Sequence, residues 1–270
     1  MKPGTGSMAC AAALAVAVWG WWWVIGSAPP APAPALPEAA RAPAPARDDK
    51  ECLERLRPGG AAALDFALAW EARGGGDGAR RCAALAIVAG GEPERGAARL
   101  EALGGRPGAG DAARAAWLGE AGQAWMLAGQ PRRALGPITL ALSLAPADAG
   151  LLVDRAAASG ALGHFGDALE DAGRAAALEP GRVEAWVFRA AALRRLERTG
   201  EALADVARAL AIDPGNAAAL LERGILRRMA GDTEGAREDW EAVLAREPEG
   251  GAAAVARRNL ELDQAPRRRG

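Results

Sequence analysis

One interval governs the sequence. Pro146, Pro180, Pro214 and Pro248 stand 34 residues apart, three times in succession. Other columns keep the same step. Ala134, Ala168, Ala202 and Ala236 each lie twelve residues ahead of a proline, and two further columns are Leu118, Leu152, Trp186, Leu220 and Gly122, Ala156, Ala190, Gly224. A period in this range marks a chain of stacked copies of one supersecondary unit, none of which buries its apolar face alone. Each copy reads as helix, short turn, helix, then a proline that has no N–H to donate and stops the second helix. Gly129, Gly163 and Gly231 mark the turn in three copies, and Glu197 stands there in the other. Small residues at Gly122, Ala156, Ala190 and Gly224 allow two antiparallel helices to approach closely.

Composition agrees with a helical reading. The 270 residues include 72 Ala and 35 Gly, three Phe and no Tyr. Alanine is the strongest helix former, whereas the β-branched and aromatic residues that strands favour are scarce. The period also carries charge. Arg155, Arg189 and Arg223 recur at 34 residues, and Asp171, Asp205 and Asp239 follow each by sixteen. In the first copy the matching positions are Ala121 and Pro137, so both charges are missing together. Loss of both members at once points to a structural Arg–carboxylate pair between the two helices of a unit or of adjacent units.

In its 34-residue step, small columns and terminal prolines, the stretch 113–248 resembles four consecutive tetratricopeptide (TPR) units. The resemblance implies an all-α helix-turn-helix solenoid wound as a right-handed superhelix. The usual large aromatic of the first helix is replaced along the array, where Trp125, Ser159, Leu193 and Arg227 occupy its column. Proteins of this kind line a concave groove with the first helix of each repeat. Carried over, the groove positions are Gln123 and Met126, then Val153, then Val187 and Arg194, then Leu221, Ile225 and Arg228. The lining is small and apolar with two late arginines, expected to read an acidic group on a partner. The Lys/Asn pattern that clamps a C-terminal carboxylate in some members is absent. The competing explanation is that these columns are small only because the whole chain is rich in alanine.

The flanks are less regular. Residues 77–90 and 92–104 read as a degenerate helix pair with Gly96 and Ala97 in the small column, and 50–56 with 61–73 as a poorer one. Together, 48–112 form an irregular helical N-terminal part. Residues 249–270 are read as a capping helix over 252–263, with Val255, Leu260 and Leu262 as its apolar face, and a basic tail ending Arg267–Arg269. An array needs such a solvating end. Residues 28–47 form a Pro/Ala linker that favours the extended polyproline conformation and reaches roughly 60 Å. Met8–Ile25 is an uncharged, Trp-rich run at the lower limit of a membrane span. The only positive charges ahead of it are Lys2 and the amino terminus, and no charged residue of either sign follows it until Glu38. The bias points the C-terminal domain away from the cytoplasm. Residues 1–27 are thus read as a signal anchor of a single-pass bacterial inner-membrane protein whose repeat domain lies in the periplasm. The alternative is cleavage after Gly26-Ser27-Ala28, releasing a soluble periplasmic form, although Pro29 opposes it. On the oxidising side, Cys52 and Cys82 are an even pair thirty residues apart. They are read as a disulfide stapling the least regular repeats, with two buried thiols as the alternative.

Chemistry is constrained more by what is missing. His164 is the single histidine, which excludes a multi-His metal site or relay. It falls in a turn and is read as exposed. There is no phosphate loop, nucleophile elbow or metal-ligand cluster, so neither a metal nor another cofactor is expected. A formal net charge of −1 gives no electrostatic drive toward nucleic acid. The expectation is a non-catalytic protein–protein interaction scaffold, tethered to the membrane, with unidentified protein partners. Self-association through Trp117 and Trp240 is a further possibility. An envelope enzyme would need a polar constellation around Glu71, Asp77 and Cys82.

Overall fold

The computed structural model describes residues 45–56 and 60–264, and over these the chain is helical. The elements are α1 (Pro45–Leu56), α2 (Ala61–Ala72), α3 (Gly76–Ala89), α4 (Pro93–Gly104), α5 (Asp111–Leu127), α6 (Pro131–Leu144), α7 (Ala149–Ala161), α8 (Phe165–Leu178), α9 (Val183–Arg195), α10 (Thr199–Ile212), α11 (Ala217–Met229), α12 (Thr233–Arg246) and α13 (Gly251–Gln264). Each helix packs on its sequence neighbours, and α5, α7, α9, α11 and α13 also contact one another in succession. The result is a two-layer stack with α5, α7, α9 and α11 in one layer and α6, α8, α10 and α12 in the other. Helix α1 begins at Pro45, inside the stretch read as linker.

Local sequence explains where helices start and stop. Asp148, Asn216 and Asp232 cap α7, α11 and α12, their side chains accepting from Leu151, Ala219 and Gly235 backbone N–H groups at 3.0, 3.0 and 2.9 Å. Pro93 and Pro131 open α4 and α6 at the first turn, where a missing N–H costs nothing. The four turns inside the repeats share one geometry. Gly129, Gly163, Glu197 and Gly231 have φ of 68°, 83°, 62° and 90°. The next residue's N–H then closes back on a carbonyl of the helix's last turn (Gln130 to Trp125, His164 to Ser159, Arg198 to Leu193, Asp232 to Arg227), each at 2.9 Å. Glu197 is the one non-glycine with positive φ among the described residues.

Packing inside each pair is complementary in volume. The small column of the first helix faces Ile138, Ala172, Val206 and Trp240 of the second. Glycine stands opposite the large residues. A Cβ on Gly122 would collide with the Ile138 side chain, and one on Gly224 with the Trp240 indole. Alanine stands opposite the smaller ones, with Ala156 clustered with Ala172 and Ala190 with Val206. A protein interior tolerates few voids, so matched volumes let a lean, alanine-rich array still close its core.

Two expectations are corrected here. Trp117 and Trp240 are 9% and 2% exposed and belong to the core, so neither forms a surface strip for a second copy. Trp240 is drawn in because Gly224 leaves room for an indole. In α13, Val255 and Leu262 point to solvent at 43% and 64% exposure. The packed face is instead Ala252, Ala253, Ala256 and Leu260. The close approach of α13 to α11 and α12 selects alanine over larger side chains.

Candidate peptide-binding groove

Helices α5, α7, α9 and α11 place the expected groove residues at matching turns. Val153 and Val187 are buried in its floor, Leu221, Ile225 and Met126 are half-buried, and Gln123 is exposed. Gln123 Nε2 donates to Asp154 Oδ2 at 2.9 Å, joining α5 to α7. Burial holds the Asp154 carboxyl above its ordinary value, the Gln123 hydrogen bond opposing this in part. The two groove arginines differ from expectation. Arg194 on α9 pairs with the buried Glu222 of α11, and Arg228 on α11 lies 3.2 Å from Asp263 of α13. The Arg194 guanidinium is therefore taken up by a carboxylate of the chain itself and is not free to read a partner's acid, whereas Arg228, 40% exposed, contacts Asp263 from Nε and keeps the rest of its guanidinium open to solvent. Neither pair repeats along the array: Arg194 and Glu222 are 28 residues apart and Arg228 and Asp263 are 35, so the 34-residue step does not reveal them.

The arginine–aspartate columns meet inside each unit. Arg155 Nε and Nη2 donate to the two Asp171 oxygens at 2.6 and 2.7 Å. Arg189 Nε reaches Asp205 at 2.6 Å, and Arg223 Nη2 reaches Asp239 at 2.6 Å. The three aspartates are 2–3% exposed. In the last unit Arg227, in the column of the missing aromatic, adds a second guanidinium to Asp239 at 2.9 Å. A fork-to-fork pair at such a site fixes the angle between helices as well as neutralising the buried charge. These pairs lie between the layers, away from the groove.

The N-terminal part carries a Cys52–Cys82 disulfide joining α1 to α3, with the Cα atoms 5.9 Å apart. Glu71 and Asp77 meet at Arg80, at 3.1 and 2.8 Å, while Cys82 is bonded to Cys52 and presents no thiol. The polar constellation that an enzyme would need there is a salt-bridge cluster. His164 is exposed at the start of α8. Among the described residues no group of three or more His, Cys, Asp or Glu side chains is placed to hold a metal ion. None of the described helices is long and apolar enough to cross a membrane. The segment Met8–Ile25, the Pro/Ala linker up to residue 44 and the Arg267–Arg269 tail lie outside the described residues.

No family model matches the chain, and no curated protein matches its sequence. Solved structures do match. A MamA fragment (residues 41 to the end) from Desulfovibrio magneticus RS-1 superposes with a TM-score of 0.53 at 18% identity, over 64% of this chain and 95% of that one. The thermophilic TPR protein TTC0263 from Thermus thermophilus gives a TM-score of 0.53 at 22% identity, over 56% of this chain and 83% of that one. The 34-residue step, the left-handed turn inside each pair, the small column opposite a large one and this shared architecture converge on one fold: the described helices form a helix-turn-helix solenoid of the tetratricopeptide-repeat type.

Proposed function

We propose that the protein is a non-catalytic scaffold that binds partner proteins along the surface of α5, α7, α9 and α11, held to a bacterial inner membrane by residues 1–27 with its repeats in the periplasm. One observation carries the binding reading. Successive first helices lie side by side and present Gln123, Met126, Leu221 and Ile225 with at least part of their surface open to solvent. A continuous, partly apolar surface built from rigid helices is what an extended or helical segment docks on. The disulfide supports the compartment, because such bonds persist in oxidising spaces and are rare in the cytosol.

Photo-crosslinking in native membranes tests the binding surface. A photoreactive residue at the exposed positions 123 or 218 is expected to capture a defined partner, and one at the exposed position 207 of α10 is not. Equal capture from both layers removes the groove reading. The anchor is tested separately by intact mass of the membrane-bound protein. A chain beginning at Pro29 replaces the tether with an exported soluble form.

A further inference from the structure

The first-layer helices are tied to one another by cross-links, one junction excepted. The disulfide joins α1 to α3. Arg81 Nε donates to the Glu120 carboxylate at 2.9 and 3.0 Å between α3 and α5. Gln123–Asp154 joins α5 to α7, Arg194–Glu222 joins α9 to α11, and Arg228–Asp263 joins α11 to α13. No hydrogen bond or salt bridge between side chains links α7 to α9 among the described residues. The sequence shows why. The 34-residue equivalents of Gln123 and Arg194 on α7 are Ala157 and Gly160, and the equivalent of Asp154 and Glu222 on α9 is Phe188. Both halves of the link are replaced together, by small residues on one side and an aromatic ring on the other.

An apolar cleft of about 230 Å³ occupies the gap, lined by Ala157, Gly160, Ala161, Phe165, Phe188 and Ala191, with Arg194 and Arg195 at the rim. Arg194 is held by Glu222. Arg195 is exposed and makes no salt bridge among the described residues, and its guanidinium lies 4.5 Å from the centroid of the Phe165 ring. A cation resting on an aromatic face keeps its N–H edge available to a carboxylate. The cleft therefore combines space for one aliphatic side chain with an unpaired positive charge at its mouth.

We infer that this cleft is the anchor subsite of the groove, taking a single Leu-, Ile- or Met-sized side chain of a partner segment whose neighbouring Glu or Asp pairs with Arg195. The inference rests on the groove reading above and narrows it to one junction and one ligand chemistry. Burying such a side chain contributes enough to change affinity by about tenfold or more.

The test uses the purified full chain in detergent against an array of heptapeptides Ser-Gly-X-Z-X-Gly-Ser, with X either Glu or Lys and Z one of Leu, Ile, Met, Ala or Lys. Retention is expected on apolar Z flanked by Glu, and not on the Ala, Lys-centred or Lys-flanked peptides. Gly160→Leu fills the cleft. A Cβ there meets nothing nearer than Ala168 Cβ at 3.9 Å, so the backbone accepts a side chain. Retention should fall about tenfold in this variant and in Arg195→Glu, the latter shifting preference toward Lys-flanked peptides. Ala191→Leu serves as a second filling variant should Gly160→Leu lose its helical melting transition. Retention that is equal across flanking charges, or unchanged in both filled variants, overturns the proposal. So does a dimer in sedimentation equilibrium that the filled variants abolish, since that places a second copy in the cleft. If the array result fails while positions 123 and 218 still crosslink a partner, the groove reading stands and only the anchor subsite is lost.

Discussion

Replacing Glu197 by glycine should make the protein more stable, although it removes a side chain and adds backbone freedom. The four repeat turns are a matched set. All close with the same 2.9 Å hydrogen bond, and their φ angles span only 62° to 90°. Three carry glycine, at positions where a Cβ would meet nothing within 4 Å, so the cost of a side chain there is conformational and not a clash. The left-handed region costs a residue with a Cβ roughly 1–2 kcal/mol. Against this, glycine loosens the unfolded chain by about 0.4–1 kcal/mol. Glu197 is exposed and makes no salt bridge among the described residues, so no contact is lost with it. The net gain is about 0.5–1 kcal/mol, or roughly 1–4 °C in melting temperature for a chain of this size. The reciprocal change, Gly163→Glu, should cost about the same amount. Urea denaturation of the full chain followed by circular dichroism at 222 nm, with the disulfide intact, measures both. Two substitutions of the same sign, or a Glu197→Gly variant no more stable than the parent, would refute the assignment of strain to this turn.

Three other perturbations test other parts of the structure. Arg189→Met leaves the buried Asp205 carboxylate without its fork and should destabilise by about 3 kcal/mol in the same assay, a loss below about 1 kcal/mol being incompatible with a buried pair. Gly224→Ala drives a Cβ against the Trp240 indole and should cost about 1–3 kcal/mol with a visible change in Trp fluorescence, whereas Gly136→Ala, in open space, should cost nothing. For Asp154, burial raises the folded-state pKa above the ordinary carboxylate value. The folded state thus holds that proton more tightly than the unfolded one, so its contribution is complete at low pH and is lost as pH rises from the unfolded pKa through the folded one. Asp154→Asn keeps an acceptor for Gln123 and lacks this loss, so its melting temperature relative to the parent should rise from acid to neutral pH, and a flat difference would show that burial does not perturb the group.

The repeat region was legible because its constraints are local and periodic. Proline stops, left-handed turns and the small column each act within one helix or one turn, so the 34-residue step exposed them. The Arg155–Asp171 class was legible for the same reason, as two columns that vanish together in the first unit. What the step hid were interactions that cross columns. Arg194 finds Glu222 and Arg228 finds Asp263 only once successive helices are laid side by side, and the cleft beside Phe188 shows itself as a gap in that series. Trp240 and Leu262 were misplaced because hydrophobicity alone does not say whether a neighbour leaves room. Gly224 makes room for the indole, while the close packing around Ala253 and Ala256 turns Leu262 outward.

The Cys52–Cys82 bond gives the array two unlike ends. At the N-terminal end α1 is covalently clasped to α3 across a closed loop, a constraint that ionic strength does not touch. At the other end α13 is secured by alanine contacts and by Asp263 shared between Arg228 and Arg237, charges near enough to water to be screened. In a chain whose stability is a sum over neighbours, partial opening starts where the terminal coupling is weakest. The solenoid should therefore unravel in one direction, from its last helix inward, and salt should set how readily that happens. Reducing agent removes this polarity by releasing the clasp and leaving both ends free to open.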